Sequence, residues 1–212
     1  LSRSVLTERL QNTALLGFLL LMGIYNFLLY YLRPKDQTSL WLGIATLAFC
    51  VRIVTVNQFP ALISEPFMLD FQWLIRCETL AVVLMFASIM KFMAQISLSS
   101  MTSKSTNAYI LLACSVAAFT IATDAIMFQP YLRGFVFLSS LAMLPVLYCL
   151  FRAGIRQPGA ARNASLGFLP VILTLLIIII ALIKNPNQVP AATKLTAYAM
   201  AFALLVQSYT LT

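Results

Sequence analysis

Asn12 to Leu32 is a run of 21 residues with no charged side chain, most of them apolar. At 1.5 Å per residue a helix of about 20 such residues spans about 30 Å, the hydrocarbon thickness of a bilayer. The chain holds seven candidate stretches of this kind, roughly 12–32, 39–57, 71–96, 108–128, 131–153, 165–184 and 190–211. Turn-forming or polar segments separate them: Arg33-Pro34-Lys35-Asp36, Gln58 to Pro66, Ser97 to Asn107, Gln129-Pro130, Arg156 to Asn163 and Asn185-Pro186-Asn187. Composition agrees, with 61% of the 212 residues apolar and 9% charged. A soluble domain carries about 45–50% apolar and about 25% charged residues, and no soluble core of this size hides so much apolar surface. The sequence therefore predicts an all-α, polytopic membrane bundle of seven transmembrane helices, forming one domain over residues 1–212. Short connections make sequential helices antiparallel.

The third stretch is interrupted, because only 12 residues separate Glu78 from Lys91. That is about 18 Å of helix, so the stretch crosses only with Glu78 or Lys91 inside the membrane region. Orientation follows from the basic residues. Arg33, Lys35, Lys91, Lys104, Arg152, Arg156 and Arg162 fall on one side, with Asp36 as their only acid. Arg3, Arg9, Arg133, Lys184 and Lys194 fall on the other, with Arg52 and Arg76 within apolar helices near it. Seven loop and helix-end charges against five place the amino terminus outside and the carboxyl terminus in the cytoplasm. The net charge of +8 is spread singly between apolar runs, which fits basic loops at an anionic membrane surface rather than nucleic acid.

Ionisable groups within a bilayer mark function by default, since a charge costs about 2.5–3.5 kcal/mol at the centre. Counted from the cytoplasmic ends, Arg52, Glu78 and Asp124 lie about 20, 25 and 24 Å up their helices, and Arg76 lies about 3 Å beyond Glu78. The four form an expected polar layer in the outer third, with Arg52–Glu78 and Arg76–Asp124 as pairs. The alternative is that the two arginines snorkel to the headgroups. Asn26, inside the first stretch, is a candidate for an interhelical hydrogen bond. Tyr30, Tyr31, Trp41 and Trp73 read as interfacial aromatics. Gly17 and Gly23 read as points of close helix packing, and Pro145 and Pro170 as ordinary membrane-helix prolines.

Absent residues exclude whole chemistries. With no histidine in the chain, His-dependent hydrolases, HExxH zinc sites and His-ligated haem are ruled out. Cys50, Cys77, Cys114 and Cys149 lack metal-site spacing and read as buried, reduced thiols. Lys194 lies too near the outer end of the seventh stretch for a retinal Schiff base, and Asp124 has no partner for an intramembrane aspartyl protease. No phosphate-binding glycine loop occurs. Neither catalysis nor any cofactor or metal is expected of these residues.

The first stretch and its exit, Gly17-Phe18-Leu19-Leu20-Leu21-Met22-Gly23-Ile24-Tyr25-Asn26-Phe27-Leu28-Leu29-Tyr30-Tyr31-Leu32-Arg33, end in a short charged turn, with Trp41 and Phe49 following in the second stretch. Val51-Arg52-Ile53 closes that second stretch, and Arg76-Cys77-Glu78 opens the third. In these features the chain resembles the bacterial seven-transmembrane receptors with diverse intracellular signalling modules. The likeness is continuous over roughly residues 12–96 and is one of hydrophobic pattern beyond. Thr79-Leu80 departs from the aromatic that often follows the glutamate in that family. The resemblance implies a multi-pass signal-transducing domain in the bacterial inner membrane, with an outer sensor domain before it and a cytoplasmic kinase, cyclase or phosphatase module after it. Neither module lies in these residues; a chain that starts at Leu1 and stops within an apolar run at Thr212 reads as a piece of a longer protein. The partners expected are the lipid bilayer and those two modules, with a homodimer left open and no nucleic acid. The runner-up is a small transporter or permease in which Arg52, Glu78 and Asp124 line a path, and a third reading is a passive anchor.

Overall fold

The computed structural model describes residues 3–35, 37–56, 71–97 and 100–156, and eight further positions between 166 and 206. The described residues form five helices: α1 (Arg3–Leu32), α2 (Gln37–Val56), α3 (Phe71–Ser97), α4 (Ser100–Ala122) and α5 (Ala125–Arg156). Four of them, over Thr13–Leu32, Gln37–Thr55, Gln72–Ile96 and Lys104–Ala122, are long and apolar enough to cross a membrane. The expected sixth and seventh stretches and the Gln58 to Pro66 segment lie outside the described residues, apart from those eight positions, which are helical. Lys184 and Lys194 lie outside them as well.

α1 stops where expected. Arg33 donates its backbone N–H to Leu29 O at 2.9 Å, and Pro34 behind it removes the next donor and disfavours helical backbone at Arg33. α3 includes both Glu78 and Lys91 in one unbroken helix of 27 residues. It tolerates them because it is the central helix: 61% of its span is buried, against 17% for α1 and 22% for α4. α3 packs on α2, α4 and α5, whereas α1 packs on α2.

Three boundaries differ from expectation, the first being that α1 already begins at Arg3, nine residues before the first apolar stretch. α4 begins at Ser100, so Ser100 to Asn107 is helix rather than link; polar residues mark where a helix leaves hydrocarbon, not where it unwinds. The α4–α5 break falls at Thr123-Asp124 instead of Gln129-Pro130, and Pro130 continues within α5. Asp124 occupies the N-cap position, its carbonyl accepting from Met127 N–H at 2.9 Å. Aspartate is among the best N-caps and its charge suits a helix amino terminus, whereas a proline near the start of a helix forfeits one backbone donor. Asp124 is thus in a turn, not inside the fourth membrane helix.

The core is built at the α2–α3 seam. Leu42, Ala45, Phe49 and Ile53 are buried on one face of α2, and Val82, Phe86, Ile89, Met90, Phe92 and Met93 on α3. Glycine lets α1 approach α2: a Cβ on Gly23 would stand 3.1 Å from Leu47, and one on Gly43 would stand 3.1 Å from Phe27. Gly17, by contrast, meets nothing within 4 Å among the described residues and is not a packing point between them. Only Cys50 of the four thiols is buried; Cys77 and Cys114 are exposed and Cys149 is half-buried. Hydropathy cannot distinguish these, since in a bilayer lipid-facing positions are as apolar as the core. Trp41 packs against the core rather than forming part of an exposed belt, whereas Trp73 and Tyr31 are exposed.

Candidate functional site: a polar junction above an apolar cleft

α3 and α4 are antiparallel, so the start of α3 meets the end of α4. A helix end leaves its last carbonyls without intrahelical partners, and α4 ends at Ala122. Arg76, on the first turns of α3, answers this need: its Nη2 donates to Thr123 O at 3.0 Å. A cation there also suits the negative pole of α4. The same Nη2 stands 3.9 Å from Asp124 Oδ1, at the positive pole of α5. This is an ion pair without a hydrogen bond, and it is the one ion pair among the described residues. Arg76 is mostly buried and Asp124 largely exposed, with side chains 17% and 74% exposed. Trp73, one turn away on the same face of α3, places its ring 5.2 Å from the guanidinium carbon.

The second expected pair is looser. Arg52 and Glu78 are both half-buried, and the carboxylate attracts the guanidinium across the α2–α3 seam. No ion-pair contact joins them among the described residues, and Arg52 Nε is buried without a hydrogen-bond partner. Asn26 is fully buried, and one hydrogen bond of its amide runs within α1, Nδ2 to Met22 O at 2.8 Å. Asn26 lies on α1, which packs on α2 among the described helices, while Arg76, Thr123 and Asp124 come together.

One turn deeper lies a cleft of about 350 Å³, lined by Thr79 of α3, Ser115, Val116, Phe119 and Thr120 of α4, and Tyr131 and Phe135 of α5. Its serine and threonine hydroxyls are spent on their own helices: Thr79 donates to Ile75 O at 2.9 Å, Ser115 to Leu112 O at 2.7 Å and Thr120 to Val116 O at 2.8 Å. What remains facing the space is largely apolar. Phe119 and Tyr131 meet edge to face, ring centres 6.0 Å apart, bridging α4 and α5.

Two contacts were not legible in the sequence. Tyr109 Oη donates to Ser139 Oγ at 2.9 Å in the buried α4–α5 seam, and Gln95 Nε2 donates to Gln37 Oε1 at 3.2 Å at the opposite end of α3 from Arg76. Polar residues inside apolar runs were the available signal, but a run does not disclose which neighbour it faces. Tyr109→Phe leaves the buried Ser139 hydroxyl without this partner and is expected to cost about 1 kcal/mol. Detergent-induced unfolding of the variant checks this, and an unchanged midpoint would show the bond to be energetically idle.

Among the described residues no group of three or more His, Cys, Asp or Glu side chains could hold a metal ion. No curated protein and no solved structure matches the chain. The family model described as 7TM diverse intracellular signalling matches residues 8–212, nearly the whole length. With its apolar helices, its central α3 and its polar junction at one end of the bundle, the chain belongs to the 7TM diverse intracellular signalling family.

Proposed function

We propose that this chain is the transducing part of a bacterial receptor: seven helices in the inner membrane, amino terminus outside, carboxyl terminus cytoplasmic, passing a signal to an output module after Thr212. Catalysis belongs to that module and not to these residues. The observation that carries the reading is Arg76, which fastens the central helix to the α4–α5 turn at the outer end through Thr123 O at 3.0 Å. A signal arriving there has a direct hold on the helix that packs on α2, α4 and α5. Any such signal must bind two packings with different affinity, since a ligand indifferent to them shifts nothing.

The test uses the parent protein with its own flanking modules. Reporter fusions are expected to place residues before Arg3 outside and residues after Thr212 in the cytoplasm. In the same protein, Arg76→Gln is expected to change basal or stimulated output by about fivefold or more, the lower edge of ordinary allosteric coupling. Output unaltered by Arg76→Gln and by Asp124→Asn would leave only the passive anchor. Termini on one side would remove the seven-helix topology.

A further inference from the structure

The polar junction and the cleft have the depth profile of a membrane lipid. Arg76 lies four residues inside the Gln72–Ile96 span, about 6 Å along the helix and at headgroup level. Thr79, on the wall of the cleft, is about 4.5 Å deeper and at acyl-chain level. Three residues of the cleft, Ser115, Phe119 and Tyr131, are exposed on the outer surface of the bundle, so the space is reached sideways from the bilayer.

Charge complementarity identifies the occupant. Within hydrocarbon an acyl chain gains little by leaving other chains for an apolar cleft, so a lipid held here is selected by its headgroup. A guanidinium has five N–H donors. One is used on Thr123 O, Asp124 balances the charge from 3.9 Å without a hydrogen bond, and the buried Nε has no hydrogen-bond partner among the described residues. Planar, forked donors suit a phosphate better than any neutral group.

We propose that the cleft between α3, α4 and α5 seats one acyl chain of an anionic phospholipid from the leaflet on the Arg76 side, with Arg76 holding the phosphate. Asp124 competes with that phosphate for the guanidinium and so sets how tightly the lipid is held. The proposal rests on the chain spanning a bilayer, not on its relaying a signal, and its test contains no output module.

The chain has two tryptophans, so Trp41→Phe leaves Trp73, beside Arg76, as the single indole reporter. This protein is reconstituted in phosphatidylcholine vesicles carrying increasing fractions of either phosphatidylglycerol or phosphatidylcholine brominated on the acyl chains. Brominated phosphatidylglycerol is expected to quench Trp73 with about fivefold higher apparent affinity, the factor carried by one basic residue at an anionic surface. Arg76→Gln brings the two lipids to parity, Arg76→Lys keeps most of the preference, and Asp124→Asn raises it. Ser115→Leu, which narrows the cleft from an exposed position, lowers the preference while circular dichroism reports unchanged helix content. Equal quenching by both lipids, or a preference that survives Arg76→Gln, overturns headgroup recognition. A preference untouched by Ser115→Leu overturns the seat in the cleft, and displacement by a free fatty acid in preference to phosphatidylglycerol overturns the phosphate as its head.

Discussion

Gly43→Leu is expected to lower the stability of the bundle by about 1–3 kcal/mol, and Gly23→Leu by a comparable amount, as inserted side chains do in well-packed seams. The two glycines form reciprocal notches. Gly43 of α2 receives the Phe27 ring of α1, and Gly23 of α1 receives Leu47 of α2, each with 3.1 Å to the position a Cβ would take. An alanine there asks its neighbour to yield a few tenths of an ångström, so Gly→Ala at either site is milder. A leucine has nowhere to go without parting the helices, because Gly43 is flanked by the buried Leu42 and by Ala45 and Thr46. α1 touches only α2 among the described helices, so parting this seam removes the contact that holds α1 to them. Unfolding in mixed detergent micelles measures the loss. Combining Gly43→Leu with Phe27→Ala is expected to restore part of it; a double variant as weak as the single one would mean that Phe27 is not what the leucine meets.

Arg52→Leu is expected to cost about 2 kcal/mol despite making α2 more apolar, because it strips Glu78 of the positive charge facing it across the seam. The figure lies below that for a fully buried pair, since both groups are half-buried and their contact is looser than an ion pair. The double variant Arg52→Leu, Glu78→Leu is expected to return to within about 1 kcal/mol of the parent, as replacement of a whole pair by apolar residues commonly does. The cycle separates pairing from snorkelling. Were both arginines simply reaching for headgroups, the two substitutions would add, and the double variant would be no better than the sum of the singles.

The membrane helices were legible because the bilayer imposes one length on every crossing segment: 12–32, 39–57 and 71–96 fall on α1, α2 and α3 to within a few residues once the helix at the amino end of α1 is set aside. Hydropathy reports where hydrocarbon begins rather than where hydrogen bonding ends, which is why Ser100 to Asn107 looked like a link and is the start of α4. At the α4–α5 turn two local signals competed, and the capping preference of Asp124 prevailed over the turn preference of Gln129-Pro130. Among the candidate residues, Arg76 and Asp124 do stand 3.9 Å apart, although Asp124 reaches Arg76 from the α4–α5 turn and not from within the fourth helix where the count from Ala108 placed it. What the guanidinium grips most closely, the carbonyl of Thr123, is a backbone atom and leaves no mark in residue type. Tyr109 and Ser139 are equally silent, since each is an unremarked polar residue in its own run and only the fold makes them neighbours.

The attachment of Arg76 at one end of α3 and of Gln95 at the other gives that helix the mechanics of a beam fixed at both ends. Arg76 and Gln95 are 19 residues apart on it, about 28 Å, so a tilt of about 5° about the Arg76 end carries the Gln95 end through about 2.5 Å. A displacement of that size breaks the 3.2 Å hydrogen bond between Gln95 and Gln37. Tilting is therefore an all-or-none event at the far end, whereas sliding along the axis strains both attachments together. In the proposed receptor, such a beam would turn a small tilt at one end of α3 into the breaking of a discrete contact at the other.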